Sequence, residues 1–252
     1  MSALPEIVVT NTFITGASRG IGRAIALRLA SEGSSVAIGF FRNRSKAHEV
    51  CSEIEGLGVK AVPVKVHVGD AEALERAFDE VGEVFGSLDV FVSNAASGVL
   101  RPLAEIDTKG WAWTMDVNAR ALLLGAQRAA PLMAEGGSII ALTSAGSTRV
   151  LPGYGAVGAS KAAIESLVRY LAVELSPHVR VNAVSPGVVD TDALKHFPDR
   201  EGMLEVGRSR TPAERLATPE DVAGVVSFLC SPAAEMIRGQ VIVVDGGAGL
   251  YA

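Results

Sequence analysis

A glycine turn set between a strand signal and a helix signal constrains this chain more than any other feature. Asn11 to Thr15 reads as a short strand. Gly16-Ala-Ser-Arg-Gly20-Ile-Gly22 follows at once, and Ile25, Leu27, Leu29 and Ala30 then continue with helical periodicity. Glycine permits a tight turn and close backbone approach, and the amides that open the helix suit a pyrophosphate. Gly16, Ser18, Arg19, Gly20, Ile21 and Gly22 are therefore the expected phosphate-binding set. The simpler reading is that these glycines only let helix and strand pack closely.

The same rhythm runs through the chain. Strand signals at Ser35–Phe41, Val59–Val68, Leu88–Ser93, Ser138–Thr143, Val179–Val184 and Gln240–Val244 alternate with helix signals. The helices are expected at Ser45–Leu57, Asp70–Phe85, Asp107–Met133 (capped by Asp107 or Thr108), Gly155–Leu175 and Pro219–Leu229. Ser176-Pro177 ends the helix at Gly155–Leu175. Alternation of this kind, with nearly continuous apolar strands, predicts an α/β fold: a Rossmann-like, doubly wound, seven-stranded parallel sheet with helices on both faces. Residues 1–252 are expected to form one domain, with ligands at the carboxyl ends of the strands. The polar, proline-punctuated segment 188–217 carries no strand signal and is expected to be a substrate lid.

Composition narrows the function classes. A hydrophobic fraction of 48% against 20% charged residues suits one packed core, and no apolar run approaches the roughly 18 to 20 residues of a membrane span. The first residues lack the basic-then-apolar pattern of a secretion signal, so the chain reads as cytoplasmic. A net charge of −5 without a basic block argues against a nucleic-acid surface. Cys51 and Cys230 lie far apart, and His48, His67, His178 and His196 are scattered, so neither a metal site nor a redox pair is expected.

The dinucleotide is read from charge. The second strand ends in Phe40-Phe41-Arg42-Asn43-Arg44, with no carboxylate to take the ribose hydroxyls of NADH, and Arg19 sits within the glycine turn. Arginine suits a 2′-phosphate, so NADPH is the expected cofactor and Arg42 a residue that would hold it. The chemistry is read from the stretch Ser144–Lys161. Tyr154 and Lys161 lie seven residues apart, about two turns of a helix, and so fall near one face. Of the two other tyrosines, Tyr170 sits about half a helical circumference away from Lys161 and Tyr251 is next to the C-terminus.

Thr15-Gly16-Ala-Ser-Arg-Gly20-Ile-Gly22, Asn94-Ala95-Ala96, Asn118, Ser144, Lys161, Pro186-Gly187 with Thr191, and Asp245-Gly246-Gly247 together resemble the short-chain dehydrogenase/reductase family across essentially the whole chain. In the usual family pattern the catalytic tyrosine precedes the lysine by four residues, a position held here by Val157. Enoyl-acyl-carrier-protein reductases of this superfamily place it seven residues before, as Tyr154 stands. Asn94-Ala-Ala-Ser-Gly-Val-Leu-Arg-Pro102, Thr191-Asp-Ala-Leu-Lys-His-Phe-Pro198 and Met236-Ile-Arg-Gly-Gln240 resemble the NADPH-dependent type III bacterial group.

The resemblance implies reduction of a trans-2-enoyl thioester, carried on acyl carrier protein, in fatty-acid or polyketide assembly. It implies Tyr154, Lys161, Ser144 and Asn118 as catalytic residues. Asn94 and Ala95 would line the adenosine and ribose path; Pro186, Gly187, Val188 and Thr191 would contact the nicotinamide end, and Lys161 the ribose. A homotetramer is implied as well. Ala193, Leu194, Phe197, Met203 and Leu204 would form a flap over an acyl chain, with Arg208 and Arg210 toward the carrier. The departure at Val157 keeps two other readings open: a β-ketoacyl or other carbonyl reductase, and a non-catalytic NADPH-binding protein.

Overall fold

A computed structural model describes residues 10–192, 194 and 200–250. Seven strands form one sheet in the order β3-β2-β1-β4-β5-β6-β7, every neighbouring pair parallel. They are β1 (Asn11–Ile14), β2 (Ser35–Phe40), β3 (Ala61–Lys65), β4 (Val90–Ser93), β5 (Gly137–Leu142), β6 (Val179–Pro186) and β7 (Val241–Val244). The helices between them are α1 (Gly20–Ser31), α2 (Arg44–Glu55), α3 (Ala71–Phe85), α4 (Thr108–Met115), α5 (Ala121–Ala129), α6 (Gly155–Glu174), α7 (Arg200–Arg210) and α8 (Pro219–Cys230). This is the doubly wound α/β architecture that the alternation predicts.

Side chains that alternate along each strand feed two cores, one on each face of the sheet. Phe13, Phe78, Phe91, Leu122 and Ile139 belong to one; Ile14, Ile25, Ile38, Ile140 and Val226 belong to the other. Phe78 meets Phe13 and Phe91 edge-on, each at 5.1 Å between ring centroids, a favoured aromatic geometry. Gly125 of α5 lets that helix sit on the cluster, because a Cβ there would lie 2.6 Å from the Phe91 ring. Strand order reverses between β1 and β4, so the loops after these two strands diverge and open a crevice at their carboxyl ends.

Two regions differ from the sequence expectation. The helix expected over 107–133 is interrupted: Asp107 caps α4, accepting from the Gly110 amide at 2.7 Å, but Asp116–Arg120 forms a π-helical turn before α5. A π turn inserts one residue into the helical repeat and is not visible as a change in periodicity. The segment 188–217, expected as a lid, contains α7, whose mixed sequence hides a helix that buries Leu204. Leu194 is buried too, and Val189 pairs with Ala217 in an isolated parallel bridge. Ala193, Phe197 and His196 lie outside the described residues.

Candidate active site

The turn after β1 is shaped by what it lacks. Gly16 and Gly20 adopt φ of +68° and +55°, the left-handed region that favours glycine. At Gly22 a Cβ would come within 2.5 Å of the Gly16 carbonyl oxygen and 2.6 Å of Asn94 Nδ2. Asn94 at the end of β4 donates from Nδ2 to the carbonyls of Thr15 (2.9 Å) and Gly16 (3.1 Å), tying the turn across the crevice. The Thr15 hydroxyl accepts from the backbone amides of Asn94 and Ala95, both at 3.1 Å. Arg19 precedes α1 without capping it by a side-chain hydrogen bond, so the opening amides of that helix remain suited to an anion. These features fit a dinucleotide pyrophosphate.

The other residues expected at a dinucleotide surround this cradle. Thr191 stands over the turn, its γ-methyl 3.5 Å from the position of a Gly20 Cβ. Gly187 donates to the Val244 carbonyl (2.9 Å) and packs against Asp245, where a Cβ would approach within 2.8 Å. Val188 packs beside Gly207 of α7. Arg42 is exposed, its guanidinium over the Phe41 ring at 5.3 Å; with Arg44, His48 and Lys65 it borders a depression of about 290 Å³ at the ends of β2 and β3. Arg19 reaches Asp192 at 3.4 Å, in a half-exposed pair that spans the crevice.

At the end of β5 the construction is the opposite, with side chains converging. Ser144 Oγ and Tyr154 Oη lie 3.2 Å apart. Lys161, buried, donates from Nζ to the Leu142 carbonyl at 2.8 Å. Tyr154 immediately precedes α6, and its ring fills the space beside Gly146, where a Cβ would lie 2.5 Å from the ring carbons. Gly158 permits the approach of α6, since a Cβ there would stand 2.5 Å from the Gly146 carbonyl. Val157 faces elsewhere: it is buried against Gly98, whose Cβ would come 2.4 Å from a Val157 methyl.

Burial sets the protonation of both groups. It raises the Tyr154 pKa above the ordinary phenol value, an effect only opposed by the Ser144 hydrogen bond, so the phenol remains a neutral donor. Burial lowers Lys161 to about 8, because the ammonium is taken out of water.

Asn118 lies in the π-helical turn and is buried, but it meets Lys161's neighbour rather than Lys161. Its Nδ2 donates to the Ser97 carbonyl (2.8 Å) and to Ser160 Oγ (2.9 Å), and its Oδ1 accepts from the Ser97 amide (3.2 Å). It therefore braces the loop after β4 against α6. Gly146, Gly158, Thr143 and Glu165 escaped the sequence reading. The spacing of Tyr154, Gly158, Lys161 and Glu165, a single helical stripe, was the available signal for two of these, Gly158 and Glu165. Among the described residues no group of three His, Cys, Asp or Glu side chains is placed to hold a metal ion, and no helix is long and apolar enough to cross a membrane.

Residues 16–249 match a family profile described as enoyl-(acyl carrier protein) reductase. A 1-cyclohexenylcarbonyl-CoA reductase of Streptomyces collinus is 41% identical over 244 residues, covering 96% of this chain and 87% of the relative. A versicolorin reductase of Emericella nidulans is 36% identical over 248 residues, covering 93% of this chain and 94% of that one. Among solved structures, a short-chain dehydrogenase of Burkholderia cenocepacia in complex with NADP superposes with a TM-score of 0.89 at 36% identity, covering 95% of this chain and 98% of the other.

Proposed function

The chain belongs to the short-chain dehydrogenase/reductase family, and on that premise we propose that it reduces the carbon–carbon double bond of 2-enoyl thioesters with NADPH. The observation that carries this reading is the placement of Tyr154. Its hydroxyl, seven residues before Lys161, shares the β5–α6 corner with Ser144, while the position four residues before Lys161 is a valine packed on Gly98. The relative from Streptomyces collinus bears a name that describes a conjugated double bond beside a thioester carbonyl, which supports the same chemistry here.

The cradle of Gly16, Gly20 and Gly22 would hold the pyrophosphate, Arg42 and Arg19 the 2′-phosphate, and Lys161 the nicotinamide ribose. When bound, the reduced nicotinamide supplies a hydride. A hydride accepted at the β-carbon would leave negative charge on the thioester carbonyl oxygen, which the residues of the β5–α6 corner would have to stabilise. Tyr154, kept protonated by burial, donates a hydrogen bond to this oxygen, and the Ser144 hydroxyl beside it offers a second donor. The buried positive charge of Lys161 stabilises the same developing anion. Protonation of the α-carbon by Tyr154 or water then restores the carbonyl and completes a net gain of one hydride and one proton.

The decisive assay pairs crotonyl with acetoacetyl thioesters, each with NADPH and NADH. Faster oxidation of NADPH by the crotonyl substrate is expected. Turnover of the acetoacetyl substrate alone would replace this reading with that of a carbonyl reductase, which the convergence of two hydroxyls on one oxygen position also suits. Running the assay with acyl-carrier-protein and coenzyme A thioesters tests the carrier; the acyl carrier protein is the proposed one, and a preference for coenzyme A would overturn that part alone. Exposed Tyr170 and Val173 on α6 support the further proposal of a homotetramer, which sedimentation would test.

A further inference from the structure

The end of β5 meets α6 through three consecutive residues, and the chemistry above uses only the outer two. Leu142 accepts from Lys161 Nζ at 2.8 Å, and Ser144 Oγ pairs with Tyr154 Oη at 3.2 Å. Between them Thr143 is 4% exposed, and its hydroxyl donates to Glu165 Oε1 at 2.8 Å while lying 3.5 Å from the Lys161 carbonyl oxygen. The Thr143 amide is itself fixed, donating to the Val184 carbonyl of β6 at 2.9 Å.

Tyr154 at the N-cap of α6 and Gly158, Lys161 and Glu165 within it recur at steps of four, three and four, which places them along one stripe of the helix. That stripe lies against residues 142–146, and the missing side chain at Gly158 brings the two backbones together. The Thr143–Glu165 hydrogen bond thus ties strand to helix without spending a reacting group. Nothing in the hydride or proton transfer requires either residue.

We propose that Thr143 and Glu165 are positioning residues, whose hydrogen bond fixes the seating of α6 on the end of β5 and so holds the Tyr154 hydroxyl toward the substrate carbonyl and the Lys161 ammonium toward the nicotinamide ribose. The proposal rests on the functional reading above. Its physical basis is the narrow tolerance of the two working contacts: a slide of about 1 Å takes both beyond hydrogen-bond range, and displacement of that size costs up to about a hundredfold in rate.

The experiment compares Thr143→Val, Thr143→Ser, Glu165→Leu and Glu165→Gln in steady-state reduction of a crotonyl thioester by NADPH. Valine keeps the branched shape but removes the donor, serine keeps the donor, and glutamine keeps the acceptor. Thr143→Val and Glu165→Leu are expected to lower kcat by about ten- to a hundredfold. KM should stay within about threefold, as befits loss of an interaction felt mainly in the transition state. Thr143→Ser and Glu165→Gln should remain within about threefold of wild type, and the Thr143→Val/Glu165→Leu double variant should be no slower than the worse single one.

Wild-type kcat in Thr143→Val, equal losses in the valine and serine variants, or additive losses in the double variant would each overturn the proposal. Circular dichroism checks that every variant is folded, and Glu165 is only half-buried, so its two variants stand as a second route if Thr143→Val does not fold. Should the wild-type protein turn over no enoyl thioester, it is the functional reading that fails. The clamp is then judged by fluorescence titration of NADPH, whose affinity should fall at least about threefold in Thr143→Val and not in Thr143→Ser; equal affinities would overturn it.

Discussion

Two corners at the same edge of the sheet are built by opposite means. The crevice after β1 and β4 is made by leaving side chains out, so that Gly22 can lie where any Cβ would meet Gly16 and Asn94. The corner after β5 is made by bringing side chains in: the Ser144 and Tyr154 hydroxyls meet, and Lys161 reaches from the helix to the Leu142 carbonyl at the strand end. The first fails when atoms are added and the second when they are removed. Variants chosen on that basis separate binding of the nucleotide from chemistry on the substrate.

The largest effect is expected at the second corner. Tyr154→Phe removes one preorganised donor and should lower kcat by about 10² to 10³ while leaving NADPH affinity unchanged, as steady-state kinetics and fluorescence titration would measure. A fall in NADPH affinity of similar size would mean that the two corners are not separable. Next comes pH. Burial lowers Lys161 to about 8, so the ammonium is present below that pH and lost above it. The kcat/KM for NADPH, which reports groups of the free protein, should therefore fall by about tenfold per pH unit above a midpoint near 8.

Stability should move the other way. A buried lysine with a depressed pKa costs stability while both folded and unfolded chains hold the proton, and the cost is relieved as pH rises from about 8 toward the ordinary value of 10.5. Raised thiol pKa values at Cys51 and Cys230 oppose this trend at higher pH. The useful quantity is accordingly the difference in thermal stability between wild type and Lys161→Met, which should narrow as pH rises. A difference independent of pH would show that Lys161 is not buried as an unpaired charge.

The contrast between the corners also explains what could be read from the sequence. Gly16, Gly20 and Gly22 obey a local steric requirement, so their spacing after a strand signal was sufficient to place the cradle. Tyr154 stands at the start of the helix that carries Lys161, and their separation of seven residues was equally legible. Asn118 was not, because its partners Ser97 and Ser160 come from two other segments and the π-helical turn that aims it leaves no mark on the hydrophobic period. The pairing of Thr143 with Glu165 depends on how α6 rests on β5, and α7 carries too few apolar residues to announce itself as a helix. Information held within one element was readable; information held between elements appeared only when they were packed.

The two smallest effects belong to the cradle. Gly22→Ala places a methyl group against a carbonyl and an amide, a strain of about 1–3 kcal/mol by the usual cost of overpacking. NADPH affinity should fall by roughly tenfold with kcat at saturation nearly unchanged. Asn94→Ala does the reverse, deleting the two donations that hold Thr15 and Gly16. At about 1 kcal/mol for each bond, about 2 kcal/mol in all, the melting temperature should drop by roughly 4–8 °C and NADPH should bind about threefold more weakly. The comparison turns on this last variant. If Asn94→Ala melts lower yet binds NADPH as well as wild type, the glycines alone shape the cradle and the asparagine serves stability. If binding weakens with melting, the cradle too depends on a converging side chain, and the difference between the corners is one of proportion.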